Sequence, residues 1–247
     1  MTQKPTQTMI AGFTIRRTTA AAAFRFLKQR WRRRRRTIVF FANANFVIQC
    51  APLRQTIAES PEILLLNDGV ALDIAALLRR GIGFPENLNG TDFTPAFLAV
   101  LDRAARVYLV GGRPGVVRTA ADVLSRRYPQ VEICGQVDGY SIWGDEAAAI
   151  REINAAGPDV LLVAFGNPLQ EKWILQHREA LEVPLIFAVG ALFDFLSGTA
   201  PRAPQYIRRV RLEWAYRLAH EPRRLLRRYT IDMLKFFGMA IFDSNKT

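Results

Sequence analysis

The chain alternates two patterns of apolar residues. Short continuous apolar runs, typical of strands covered on both faces, occur at Thr37–Ala42, Glu62–Leu66, Val107–Val110, Val131–Cys134, Asp159–Phe165 and Pro184–Val189. Longer segments with helical periodicity occur at Thr19–Arg30, Val70–Arg80, Thr94–Arg103, Pro114–Tyr128, Asp145–Ala155 and Leu169–Leu181. The alternation predicts an α/β fold, with a Rossmann-like, mostly parallel and doubly wound sheet.

The strand pattern stops near Gly198, and a different pattern follows. Residues 199–204 contain two prolines and predict a linker. Gln205–Ala219 and Pro222–Phe237 then predict two helices, because Pro222 suits the first turn of a helix. We therefore expect a core domain over residues 1–198 and a C-terminal helical appendage over residues 199–247.

Composition narrows the class of protein. The chain has 247 residues, half of them apolar, which is ample for one large core and argues against disorder. Cys50 and Cys134 are too few for a disulfide framework and suit a reducing compartment. The N-terminus lacks the pattern of a secretory signal, and the longest apolar stretch, Val183–Phe193, is too short to span a bilayer.

The net charge of +12 is concentrated in two segments. Residues 28–36 carry seven cations and no acid, and residues 202–235 carry ten cations and three acids. The rest of the chain is therefore close to neutral. Each segment is either a solvated helix face or a surface that meets an anionic partner, such as a phosphorylated lipid, a membrane or a nucleic acid.

Polar residues follow four of the predicted strands. Ligands of open α/β sheets bind at the carboxyl ends of strands, so these residues should meet at one edge. They are Asn43 and Asn45, then Asn67 to Gly69, then Gly111 to Gly115, and finally Gly166 to Lys172. This convergence predicts a ligand site at that edge.

Each of these residues also has a structural alternative. Asp68 could act as a base or cap the helix that follows it. The turn at Gly111 and Gly112 could admit a phosphate to backbone N–H groups, or be only a tight turn. Gln170 and Lys172 could contact a ligand, or be polar residues of a first helical turn.

Several kinds of chemistry lack their signatures. His177 and His220 lie in different regions, no G-x-S-x-G elbow occurs, and no Cys/His cluster suits zinc. No D-x-D pair is present to hold a metal and a diphosphate. We therefore expect a reaction without metal or cofactor, in which protein cations neutralise any diphosphate. Arg217, Arg224 and Arg227 lie near one helical face and could do so, because guanidinium groups pair bidentately with phosphate oxygens.

The motifs together resemble the WecG/TagA/CpsF glycosyltransferases. The resemblance rests on five segments in order, namely Asn67 to Gly69, LVGGRPG (109–115), PDVLLVAFGNPLQEKW (158–173), VGALFDFLSG (189–198) and RAPQYIRRVRLEWAYRLAHEPRRLLRRY (202–229). It implies inverting, metal-independent transfer of a sugar from a UDP-sugar to a polyprenyl-diphosphate-linked sugar. It also implies a peripheral enzyme on the cytoplasmic face of the inner membrane, one that can form homo-oligomers.

The resemblance also implies roles for individual residues. Asp68 takes the place of the catalytic base. The substrate-binding positions are Asn43, Asn87, Gln170, Arg217, Arg224 and Arg227. The nucleotide-binding positions that we expect on the same edge are Gly111, Gly112 and Asn167.

Two positions depart from the family pattern, which often has Thr at Phe41 and Arg at Asn87. The segments FFANANF and ENLNGTDF look most like the branch that transfers glucose in exopolysaccharide synthesis. Glucose is therefore our first expectation for the donor sugar, and N-acetylmannosamine or another hexose is the alternative.

Two rival classes fit part of the sequence. A peripheral nucleic-acid-binding protein would use both basic segments, but it leaves the polar sheet edge unexplained, so we expect no nucleic-acid partner. A nucleotide-binding dehydrogenase lacks its G-x-G-x-x-G motif here.

Overall fold

A computed structural model of the chain describes residues 6–204, 207, 213–220 and 222–242. Its centre is an eight-stranded sheet in the order β1-β2-β4-β3-β8-β7-β5-β6. The strands are β1 (Gln7–Ile10), β2 (Phe13–Arg16), β3 (Thr37–Ala42), β4 (Ile63–Asn67), β5 (Ala105–Gly111), β6 (Val131–Val137), β7 (Val160–Ala164) and β8 (Leu185–Ala188). All neighbouring pairs are parallel except the β1–β2 hairpin. The predicted α/β fold with a mostly parallel sheet is confirmed.

Helices cover both faces of this sheet. They are α1 (Ala20–Arg32), α2 (Ala44–Gln49), α3 (Arg54–Ala58), α4 (Val70–Arg80), α5 (Gly90–Ala99), α6 (Val116–Arg127), α7 (Gly139–Ile142), α8 (Glu146–Ala156), α9 (Leu169–His177), α10 (Leu192–Leu196), α11 (Glu213–His220), α12 (Pro222–Tyr229) and α13 (Ile231–Phe242). A short 3-10 turn over Ala51–Leu53 joins α2 to α3. None of the described helices is both long and apolar enough to cross a bilayer.

The strands separate two apolar cores. Alternate residues of β3 show this, because Ile38 and Phe40 belong to one core while Val39 and Phe41 belong to the other. Helices α2, α4, α8, α9 and α13 pack on the first face, and α1, α5, α6 and α10 pack on the second. The helices that follow the adjacent strands β3 and β8 therefore lie on opposite faces, which opens a crevice between the two strand ends.

The N-terminal hairpin is the main element that the apolar pattern did not predict. Its strands have four residues each and alternate exposed with buried positions, so no continuous apolar run marks them. The turn uses positive φ angles of 49° at Ala11 and 76° at Gly12. Glycine adopts such angles readily, but alanine rarely does. In the sequence, therefore, Gly12 indicates a turn and Ala11 does not.

The C-terminal segment is divided into more helices than predicted. The expected helix Pro222–Phe237 is two helices, α12 and α13, with a turn at Thr230. The expected helix Gln205–Ala219 is described from Glu213 to His220, and its start lies outside the described residues. Phe236 and Ala240 of α13 are fully buried in the first core, against residues of α2 and α4. The boundary at residue 198 stays a prediction.

The first basic segment, residues 28–36, forms ion pairs at the edge of the sheet where the parallel strands begin. Lys28 and Arg32 both pair with Asp102. Arg34 pairs with Asp159, which precedes β7, at 3.4 Å. These cations are therefore paired with acidic side chains, and Lys28 and Arg32 share one carboxylate.

Candidate active site

Asp68 directly follows β4, at the carboxyl end of the sheet. Its backbone N–H donates to the carbonyl of Ala42 at 2.7 Å, which holds the end of β4 against the end of β3. Its Oδ2 accepts a hydrogen bond of 2.9 Å from Nδ2 of Asn43. Oδ1 of Asn43 in turn caps α2 by accepting from the N–H of Phe46 at 3.0 Å. The half-buried carboxylate is thus held by a side chain that α2 orients.

The structure decides one alternative that the sequence left open. The N-cap position of α4 is Gly69, with a φ of 88° and no side-chain cap. Asp68 is therefore not the N-cap residue of the helix that follows it. Its carboxylate lies at the sheet edge beside Asn43, where a substrate hydroxyl could reach it.

Asn87 supports the backbone next to this carboxylate. Its Oδ1 accepts a hydrogen bond of 2.7 Å from the N–H of Gly69. Asn67, which is fully buried, places Asn87 there. Its Nδ2 donates to the carbonyl of Glu86 at 2.8 Å, and its backbone carbonyl accepts from the N–H of Leu88 at 2.9 Å. The loop around Asn87 is thus fastened to the end of β4.

Gln170 is buried and joins two loops. Its Oε1 accepts from the N–H of Gly166 at 3.2 Å and from the N–H of Gly190 at 3.0 Å. These glycines follow β7 and β8, so one side chain fixes the relative position of two neighbouring strand ends. Lys172, by contrast, is exposed.

Glu171 is a carboxyl group with no exposed surface in the first turn of α9. Its Oε1 accepts from Asn167 at 2.5 Å and from Gln170 at 2.8 Å, and the Cys50 thiol interacts with the same carboxyl. Burial raises the pKa of Glu171 to about 7, although these hydrogen bonds favour the charged form. Burial, with a smaller contribution from Glu171, also raises the pKa of Cys50.

A row of side chains connects the two carboxyl groups along the sheet edge. Nδ2 of Asn45 in α2 lies 3.4 Å from Oδ1 of Asn167, and Asn167 donates to Glu171. The row runs from Asn87 and Asp68 at β4, through α2 at β3, to Asn167 at β7. The polar convergence expected from the strand ends is therefore present.

The turn after β5 lies against the end of β7, next to the last residues of this row. Gly111 has a φ of 112°, and a Cβ there would lie 2.5 Å from the carbonyl oxygen of Ala164, so only glycine fits. The N–H of Gly112 donates to that same carbonyl at 3.0 Å. This N–H is engaged within the sheet, as expected for a tight turn.

A pocket of about 370 Å³ opens beside this turn, between the start of α6 and the end of β6. It is lined by Gly115, Val117, Arg118, Gln136, Val137, Asp138 and Ser141. Oε1 of Gln136 is buried and has no hydrogen-bond partner among the described residues. The pocket lining therefore includes one cation, Arg118, one carboxylate, Asp138, and the amide side chain of Gln136.

The remaining predicted residues are the three arginines of the C-terminal helices. Arg227 is exposed on α12. The side chains of Arg217 and Arg224 fall outside the described part of the chain, although both residues lie in helices α11 and α12. Phe41 is a core residue whose ring packs 5.6 Å from the ring of Phe93, and it occupies the space that a Cβ at Gly90 would need.

Sequence reasoning missed the positions that support the site. Glu171 appeared only as part of a motif, and Asn67 only as the neighbour of Asp68. The polar residues within otherwise apolar segments were the available signal, because a buried polar group needs partners. Among the described residues, no group of three His, Cys, Asp or Glu side chains is placed to hold a metal ion.

The fold and this edge define an α/β protein with polar side chains gathered at the carboxyl ends of its strands, and sequence comparison identifies the family. The model of the glycosyl transferase WecG/TagA/CpsF family matches residues 8–247. The chain therefore belongs to this family and is a glycosyltransferase, as the resemblance of its motifs predicted.

Two relatives of this chain are named for the same activity. A Bacillus subtilis (strain 168) protein is 31% identical over 177 residues, which cover 69% of this chain and 68% of that protein. A Bacillus spizizenii protein is 33% identical over 173 residues, which cover 68% of this chain and 64% of that protein. Both are named N-acetylglucosaminyldiphosphoundecaprenol N-acetyl-beta-D-mannosaminyltransferase. They favour the N-acetylmannosaminyl alternative over the glucose expectation.

Proposed function

We propose that this protein transfers N-acetylmannosamine from its UDP-linked form to a sugar linked to polyprenyl diphosphate. The names of both relatives support this donor sugar and a lipid-linked N-acetylglucosamine acceptor. The observation that carries the proposal is the half-buried Asp68 carboxylate, held by Asn43 at the crevice end of the sheet.

The proposed reaction is a single displacement with inversion. The acceptor hydroxyl oxygen attacks the anomeric carbon of the donor, and the bond from that carbon to the diphosphate oxygen breaks. UDP leaves with the bonding electron pair, and Asp68 takes the proton of the attacking hydroxyl. General-base assistance of this kind contributes about 10²–10⁴-fold.

We place the donor nucleotide at the turn after β5 and in the adjoining pocket. The pocket supplies Arg118 for phosphate oxygens and Oε1 of Gln136 for an N–H of the base. Asn167, at the neighbouring strand end, is then the member of the row nearest to the nucleotide, and Asn45 connects it towards Asp68. Gly111 and Gly112 serve this site by shaping the turn.

The negative charge of the acceptor diphosphate needs cations to neutralise it, and guanidinium groups pair bidentately with phosphate oxygens. We assign this role to Arg217, Arg224 and Arg227, as the family resemblance implies. Asn87 in place of the frequent family arginine leaves the acceptor site with one cation fewer. Charge neutralisation therefore depends more strongly on the C-terminal helices. The enzyme would act as a peripheral protein on the cytoplasmic face of the inner membrane.

A donor screen tests the proposal. Purified protein is incubated with radiolabelled UDP-N-acetylmannosamine, UDP-glucose or UDP-N-acetylglucosamine, and with either N-acetylglucosaminyl- or glucosyl-polyprenyl diphosphate. We expect the fastest transfer from UDP-N-acetylmannosamine to the N-acetylglucosaminyl lipid. Faster transfer from UDP-glucose would restore the expectation of a glucose donor, and no transfer from any donor would contradict the proposal.

A further inference from the structure

Helix α4 presents apolar side chains to solvent. Ile74, Leu77 and Leu78 are 40%, 50% and 66% exposed, although leucine and isoleucine are usually buried. Their spacing puts them on one face of the helix, and the opposite face, with Leu72, Ala75 and Ala76, is buried in the first core. The exposed face is therefore a second apolar face that the core does not use.

Helix α13 has the same property. Ile231, Leu234 and Ile241 are 50%, 76% and 44% exposed, while Phe236 and Ala240 are buried. Helices α4 and α13 contact each other, and their buried sides belong to the same core. We call the exposed apolar residues of these two helices the α4–α13 surface.

Positive charge accompanies this surface. Arg79 and Arg80 end α4, Lys235 lies on α13, and the preceding helix α12 contains four arginines and no acid. The two helices contain only two acids, Asp73 and Asp232, and the Asp73 carboxylate is buried and accepts from the N–H of Phe84. A second copy of the chain would oppose like charges here, whereas an anionic bilayer would complement them.

We propose that the α4–α13 surface docks on an anionic lipid bilayer, with α4 as the part of the docking surface contributed by the core. This inference rests on the proposed function, because a lipid-linked acceptor must reach Asp68 from a membrane. Only Gly69 separates Asp68 from α4, and Ile74 lies four residues after the first helical residue, Val70, about 6 Å along the helix at 1.5 Å per residue. Docking through α4 would hold the carboxylate close to the headgroup layer, where the acceptor diphosphate lies.

Binding to vesicles tests the surface without any sugar substrate. The variants are Leu78→Gln on α4 and Leu234→Gln on α13. Both sites are highly exposed, and glutamine is a good helix former, so neither substitution should disturb its helix. The control is Phe26→Gln, because Phe26 is 41% exposed on α1 of the opposite face, two residues before the basic segment 28–36. Flotation with vesicles of phosphatidylethanolamine and phosphatidylglycerol measures the bound fraction, and thermal melting checks the fold.

We expect each leucine variant to bind these vesicles about three- to tenfold more weakly, because it loses part of the free energy of inserting one leucine side chain into the bilayer. The melting temperature should be unchanged. The Phe26→Gln control should bind like the wild type. Unchanged binding by Leu78→Gln would overturn the proposal, as would weaker binding by the control alone. Concentration-dependent self-association that Leu78→Gln abolishes, without an effect on vesicle binding, would instead assign the surface to a second copy.

A second assay separates this inference from the proposed function. Transfer to an acceptor with a short, water-soluble prenyl chain does not need the bilayer, so Leu78→Gln should retain it. The same variant should lose transfer to the full-length acceptor embedded in vesicles. A wild-type protein that binds vesicles but transfers no sugar would contradict the proposed function and leave the docking surface supported.

Discussion

Two carboxyl groups lie on the same edge of one sheet, and their surroundings differ. Asp68 follows β4, is half-buried, and accepts a hydrogen bond from Asn43. Glu171 follows β7, three strands away, has no exposed surface, and accepts from two amide side chains. A partly open carboxylate can exchange a proton with a substrate, whereas an enclosed one fixes its neighbours. Burial, more than residue type, therefore distinguishes the two carboxyl groups at this edge.

Replacing Asp68 by Asn has the largest expected effect. The amide keeps the shape of the side chain but cannot take a proton, so transfer should fall about 10²–10⁴-fold. Initial rates with saturating donor and acceptor measure the loss, and the melting temperature should stay within the error of the wild type. Glu171→Gln is the matched control and should retain most of the rate. Equal losses in both variants would remove the distinction between the two groups.

Glu171 sets a pH dependence of stability. Its pKa is raised by burial from 4.5 to about 7, so the folded state binds more protons than the unfolded state between these values. Stability therefore falls as pH rises from about 4.5 to about 7, by up to about 3 kcal/mol for this group alone. Glu171→Gln mimics the protonated form and should remove this part of the decline.

Denaturant unfolding at a series of pH values measures that effect. The Gln variant should be more stable than the wild type near pH 8 and similar to it near pH 4, since only the ionised carboxyl is penalised by burial. A parallel pH dependence for both proteins would show that Glu171 does not titrate in this range.

Asn87→Ala has the smallest expected effect on activity, about tenfold, because it removes only the acceptor for the N–H of Gly69 beside Asp68. Asn154→Ala is the control, since Asn154 also bonds to backbone groups, at Ala180 and Glu182 in the α9–β8 connection. Rates of transfer should drop for Asn87→Ala and stay unchanged for Asn154→Ala. Equal rates for the two variants would mean that the loop does not position Asp68.

The fold was predictable where long apolar runs signal buried strands, and β3, β5, β7 and β8 lie within or close to their predicted ranges. The N-terminal hairpin was not, because its four-residue strands are stabilised by pairing rather than by a local pattern. Helix α5 begins at Gly90 rather than Thr94, since Asn89 caps it by accepting from the N–H of Asp92. That cap lies in a segment whose apolar pattern is weak.

The candidate site was predictable only as a set of strand ends. Asp68 and Asn43 could be named from position, but their 2.9 Å contact depends on the pairing of β3 with β4. The importance of Glu171 depends on burial from every side, and burial is a tertiary property. The side chains of Arg217 and Arg224 lie outside the described residues, so their role stays a prediction.

The pH dependence of single-turnover transfer tests the role of Asp68 most directly. The wild type should lose rate at low pH, where its general base is protonated, and Glu171→Gln should show the same acid limb. Asp68→Asn should transfer slowly and without that limb. An acid limb that persists in Asp68→Asn, or that disappears in Glu171→Gln, would contradict the assignment of Asp68 as the base.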